Sequence, residues 1–159
     1  MPATHTPTIV VGFDGSPASH AAIEHAIDRV GDGHLVIVHA YHVPADHIGA
    51  SYYADMVATA SDRAAAAMDE LEHDCSRLSQ VDYETDVIAG PPAQTICTVA
   101  ETRGADEIVL GSRGLGRMRS LLGSVAHDVL HKATCPVLVI PERMVSRQES
   151  LSQAAATAS

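Results

Sequence analysis

Between Ile108 and Val125 the chain has no acidic residue. It carries Arg113, Arg117 and Arg119 there, interleaved with Gly111, Gly114, Gly116 and Gly123. Three of the ten basic residues thus fall within seven positions of a chain whose formal charge is -10. Glycines let backbone N–H groups approach an anion closely, and a helix N-terminus adds partial positive charge. Gly123-Ser124 reads as such a helix start, and Ser124 adds a hydroxyl donor. In physical terms the segment is a phosphate cradle, to be weighed against a solvated surface loop of no further role.

The other chemistry-bearing residue is Asp14, in the turn Gly12-Phe13-Asp14-Gly15. No G-x-x-x-x-G-K-[ST] run exists, and the turn lacks the glycine spacing of a dinucleotide fingerprint. A carboxylate at that strand end repels a pyrophosphate. It suits a hydrogen bond to a ribose or a base, or a magnesium ion held between carboxylate and phosphates; the plain alternative is a turn residue bonded to its own backbone. The histidines are weaker signals. His39, His42 and His47 follow one another closely, but strand geometry sends the first two to opposite faces, so loop and surface positions are expected. His127 and His131 stand at i, i+4 without the Glu of a zincin motif. Tyr52 and Tyr53 are placed in a long connection.

These residues need elements to hold them. Thr8–Phe13 is an apolar, β-branched run, hence strand one. Ser16 is the N-cap and Pro17 the first residue of a helix carrying Ile23, Ala26, Ile27 and Val30, stopped by Gly31. Strand two is His34–Tyr41. A long connection leads to a helix whose stripe is Ala60, Ala64, Ala67, Leu71, Cys75 and Leu78. Val81, Tyr83, Thr85 and Val87 alternate with acidic residues, the pattern of a third strand with one solvated face or an edge position. Gly90-Pro91-Pro92 opens a third helix, closed by Gly104. Strand four is Glu107–Leu110, and a fourth helix carries Ala126, Val129, Leu130 and Ala133. Strand five is Val137–Ile140. Strands alternating with helices predict a single-domain, doubly wound parallel α/β sheet of five strands with helices on both faces. Asp14 and Gly111 then share one crevice if strands one and four are neighbours. Residues 1–7 and 142–159 lack periodicity and are expected to be mobile or disordered tails around a domain spanning 8–141. Strand five is apolar on both faces with no helix after it, which predicts a homodimer joined through Val137–Ile140.

Composition narrows the function classes. At 159 residues and 46% hydrophobic, the chain suits one globular domain. Its acidity disfavours nucleic acid and anionic lipid, and 3% aromatic content leaves no stacking platform. Cys75, Cys97 and Cys135 form no C-x-x-C pair, which suits a reducing compartment, and no apolar run is long enough to span a membrane. A cytoplasmic protein is expected.

The combination of Val10-Val11-Gly12-Phe13-Asp14-Gly15-Ser16, Leu110-Gly111-Ser112-Arg113-Gly114, Gly123-Ser124-Val125 and Cys135-Pro136-Val137-Leu138-Val139-Ile140 resembles the nucleotide-binding branch of the universal stress proteins, over Thr8–Pro141. The resemblance implies sheet order 3-2-1-4-5, a homodimer, and ATP or a related adenine nucleotide in the crevice. By position it puts Asp14, with the Gly12 backbone beside it, at the adenine or ribose. The main chain of Ala40, just after strand two, would reach adenine. Leu110, Gly111, Arg113 and Gly114 would line ribose and phosphates, and Gly123, Ser124 and Val125 would hold the phosphates. Eight residues separate Gly114 from Gly123, one fewer than the common family spacing, which bears on the exact donors near Gly116 and Arg117. Three functions remain open: a dimeric ATP-binding stress-response regulator or sensor with little or no turnover, a slow ATPase or phosphoryl-transfer enzyme, and a nucleotide-free dimeric interaction module.

Overall fold

The runs of β-branched residues form strands because they are buried on both sides. In the computed structural model, which describes residues 5–42, 50–113 and 122–141, the order is β1 (Thr8–Gly12), α1 (Pro17–Val30), β2 (His34–Tyr41), α2 (Ala50–Asp74), a 3-10 turn (Ser76–Gln80), β3 (Asp82–Ala89), α3 (Pro92–Arg103), β4 (Glu107–Gly111), α4 (Ser124–Lys132) and β5 (Val137–Ile140). All strand pairs are parallel and the sheet runs β3-β2-β1-β4-β5, as expected. Period-two alternation divides the core in two. Ile9, Val11, Leu35, Ile37 and Val109 meet α1 and α2 through Ile23, Ile27, Val30 and Leu71. Val10, Val36, Val38, Ile108 and Leu110 meet α3 and α4 through Ile96, Val99 and Val129.

The helix ends follow their local chemistry. Ser16 Oγ accepts the Ser19 N–H (3.2 Å) and Pro17 starts α1. Gly104 ends α3 at φ 61°, a conformation that costs glycine nothing. Edge strand β3 carries Glu84 and Asp86, both of which pair with Arg103 of α3.

Some expectations are revised. α2 begins at Ala50, ten residues before the first residue of the expected stripe, so Tyr52 and Tyr53 stand on its first turns and not in a connection. Its α-helical stretch ends at Asp74, and Cys75 and Leu78 belong to the following 3-10 corner. That corner is tied to α1: the Cys75 thiol donates to Glu24 Oε1 (3.2 Å), and the Arg77 guanidinium bridges Glu24 and Asp28. Residues 5–7, assigned to the mobile leader, are fastened. His5 Nε2 lies 2.6 Å from Asp106 Oδ1, and Pro7 O accepts the His34 N–H. Strand β5 is at the sheet edge, but earlier helices cover it in part: Leu138 and Ile140 pack on the α1 side, Val137 and Val139 on the α3 and α4 side. What β5 leaves open, among the described residues, is its outer hydrogen-bonding edge.

Ile37 is fully buried in the α1-facing core. Ile37→Ala is expected to lower unfolding free energy by about 2–5 kcal/mol through lost contact and a residual cavity, read as a reduced urea midpoint.

Candidate functional site

The site begins where β1 and β4 lie side by side, with Gly12 paired to Leu110. From there one connection leads to α1 and the other to α4, so the strand ends open into a crevice, the place where open α/β sheets hold ligands. Close packing leaves little room for a side chain at either strand end, most strictly at Gly111, which faces backbone. A Cβ on Gly111 would come within 2.7 Å of the Ala18 backbone in α1, and a Cβ on Gly12 within 2.5 Å of Leu110 Cδ2 and 2.8 Å of Ile96 Cδ1.

Three hydrogen bonds shape the entrance. Ser112 N–H donates to Ile140 O (2.7 Å) and Gly123 N–H donates to Ser112 O (2.7 Å), so the start of α4 is held against the exit of β4. Ser16 Oγ donates to Arg113 O (3.3 Å), joining the α1 cap to the same loop. α4 starts after Gly123, and no side chain among the described residues caps it. The first amides of this helix therefore carry the donor capacity and partial positive charge of an open N-terminus.

The crevice has a volume of about 560 Å³, within the range of small-molecule sites. Val38, Ile96 and Leu110 form an apolar floor, Asp14, Ser19 and Arg113 a polar side, and Gly123 to Asp128 the α4 wall. Gly12, Asp14, Ala40, Leu110, Gly111, Arg113, Gly123, Ser124 and Val125 all line it. Gly114 lies outside the described residues, as do Gly116, Arg117, Arg119 and His47. Ala40, expected just past strand two, is still inside β2, paired with Ile88. Asp14 also has the turn role: Oδ1 accepts the Ser16 N–H (3.0 Å). That bond orients the carboxylate and uses one oxygen.

Sequence reasoning missed the apolar floor. Val38 and Ile96 read as ordinary core residues, and only their place beside a glycine makes them crevice-lining. Ser19 had a signal, three residues after the N-cap. Tyr52 does not cover the crevice; it lines a separate hollow of about 410 Å³ with His42, Met56 and Arg63.

His39, expected at the surface, is half-buried. Its ring meets Phe13 edge-on at 6.2 Å, and Nδ1 is buried with no hydrogen-bond partner among the described residues. The cause is β2 register: His39 faces the same side of the sheet as Leu35 and Ile37. Burial pushes its pKa below the ordinary 6.5, and the nearby Asp14 charge only partly offsets this.

Fold and crevice together define a doubly wound α/β protein with a crevice at its topological switch point. Residues 6–141 match the model of the universal stress protein family. A universal stress protein of Thermus aquaticus is 33% identical over 137 residues, covering 84% of this chain and 97% of that protein. One from Mycobacterium tuberculosis is 31% identical over 141 residues, covering 84% and 94%; of a longer relative from the same organism the chain spans 49%. Among solved structures, the universal stress protein UspA of Lactobacillus plantarum superposes with a TM-score of 0.74 at 26% identity, covering 86% of this chain and 99% of that one. A universal stress protein in complex with cAMP has a TM-score of 0.55 at 29% identity, covering 87% and 99%. The chain belongs to the universal stress protein family. No described helix is long and apolar enough to cross a membrane.

The lowered His39 pKa has a definite sign in stability. As pH falls below about 6.5 the unfolded chain takes a proton that native His39 resists, so unfolding free energy drops until the lower native pKa is reached. Urea midpoints measured from pH 7.5 to 5 should fall for the wild type. His39→Phe, which retains an aromatic edge for Phe13, should flatten that slope; an identical slope in the variant would refute the assignment.

Proposed function

We propose that the crevice binds an adenine nucleotide, ATP, and that the protein is a dimeric, cytoplasmic stress-response regulator or sensor with little or no turnover. The observation that carries this reading is the N-terminus of α4, without a side-chain cap among the described residues, lining the crevice beside Arg113 and Gly111. Charge-assisted hydrogen bonds contribute roughly 1.5–3 kcal/mol each, so a handful reach the ~8 kcal/mol of micromolar binding. The cAMP complex of a 29% identical relative supports the adenine class.

In this reading the base lies over Val38 and Ile96 near the Ala40 main chain, with Asp14 and the Gly12 backbone at its ribose side. Leu110, Gly111, Arg113 and Gly114 line ribose and phosphates, and Gly123, Ser124 and Val125 hold the phosphates. The second oxygen of Asp14 suits a magnesium ion shared with phosphate, an oxygen-rich arrangement that this hard cation prefers. The nucleotide-binding unit is taken as residues 8–141, in keeping with the family match over 6–141. The slow phosphoryl-transfer alternative draws on Asp14 and His127, both of which line the crevice; phosphate release from ATP that Asp14→Ala removes would support it.

Calorimetry with ATP, AMP and cAMP tests the binding. Arg113→Ala is expected to weaken ATP affinity roughly 10-fold, the equivalent of about 1.4 kcal/mol. Gly114→Val should abolish binding with the circular dichroism spectrum intact. Unchanged affinity in both variants would overturn the cradle. Sedimentation equilibrium tests assembly: the open edge of β5 predicts a species of twice 16.7 kDa, and a monomer at all concentrations would refute pairing through Val137–Ile140.

A further inference from the structure

Helix α4 carries a pair of histidines to which the nucleotide-binding reading assigns no contact. His127 and His131 are both exposed, one turn apart, and their ring centroids are 4.6 Å from each other at an interplanar angle of 63°. One nitrogen from each ring on a common metal, at 2.0–2.1 Å, sets each ring centre about 3.2 Å from the ion. Nitrogen–metal–nitrogen angles of about 90–110° then separate the ring centres by about 4.5–5.2 Å. The observed separation falls in that window. The structure assigns to this pair a two-histidine chelate for a divalent transition metal of the zinc, nickel or copper class.

The surroundings define what kind of site it is. Among the described residues no group of three or more His, Cys, Asp and Glu converges on one point, so this is not a closed structural zinc centre. Two protein nitrogens leave further coordination positions for exchangeable ligands. His127 and Asp128 line the crevice while His131 lies one turn beyond it, which places those open positions at the crevice rim. Asp128 precedes His131 by three residues and adds negative charge beside the pair. Imidazole ligands favour zinc, nickel and copper over magnesium or calcium. Water fills the open positions in the nucleotide-free protein. A phosphate oxygen can replace it only if the nucleotide reading above holds, so the chelate itself is tested without nucleotide.

Zinc chloride titrated calorimetrically into tag-free, nucleotide-free full-length protein should show one equivalent bound. His127→Ala and His131→Ala should each weaken it at least 10-fold, whereas His73→Ala, an exposed histidine on α2, should leave it unchanged. Copper should bind more tightly than zinc. Circular dichroism checks that each variant remains folded. Absence of zinc binding in the wild type, or an isotherm unaltered by both α4 variants, overturns the site. Since no nucleotide is present, failure here is distinct from failure of the proposed nucleotide function, which the ATP titrations decide separately.

Discussion

The pairing of β1 with β4 is the contact on which the rest of the molecule depends. Gly12 sits across from Leu110, and beyond that pair the two chains part, one to α1 and one to α4. A sheet whose connections leave in opposite directions cannot fill the space between them, so a crevice results from topology itself. Glycine at both strand ends keeps it narrow at the base. Ala18 abuts Gly111 and Ile96 abuts Gly12, and a side chain at either glycine would have to displace these neighbours.

The polar contacts around this point act together. Ser112 is buried and its backbone links β5 to the start of α4, while Ser16 serves both as the cap of α1 and as a donor to the Arg113 carbonyl. Two helix N-termini therefore meet at one crevice but in different states. That of α1 is closed by a serine side chain; that of α4 has no side-chain cap among the described residues. An open helix start beside a loop free of acidic residues concentrates positive potential in a chain with net charge -10. Arg29 pairs with Glu107, Arg77 with Glu24 and Asp28, and Arg103 with Glu84 and Asp86. Such surface pairs contribute little stability each.

Much of this was legible in the residues. The strand cores of β1, β2, β4 and β5 follow from apolar runs, the edge character of β3 from its acidic alternation, and the limits of α1 from Ser16, Pro17 and Gly31. Nine of the ten residues singled out for ligand contact line one crevice, and the tenth, Gly114, is outside the described residues. The errors have a common source. Tyr52 and Tyr53 were placed in a connection because residues 50–59 carry a mixed sequence pattern with no clean apolar stripe. His39 was read as a surface residue because a single histidine near a strand end gives no local sign of which face it takes.

The sequence alone therefore determined the kinds of elements and their order, because capping, turn formation and periodicity are decided within a few neighbouring residues. Only the tertiary structure decided that Val38 and Ile96 would floor the crevice, that Asp14 would divide its carboxylate between a turn and open space, and that His39 would be half-buried against Phe13. Those outcomes depend on which strands become neighbours and on the register they adopt. Both are settled by burial of apolar surface between residues far apart in the chain, which local pattern does not encode.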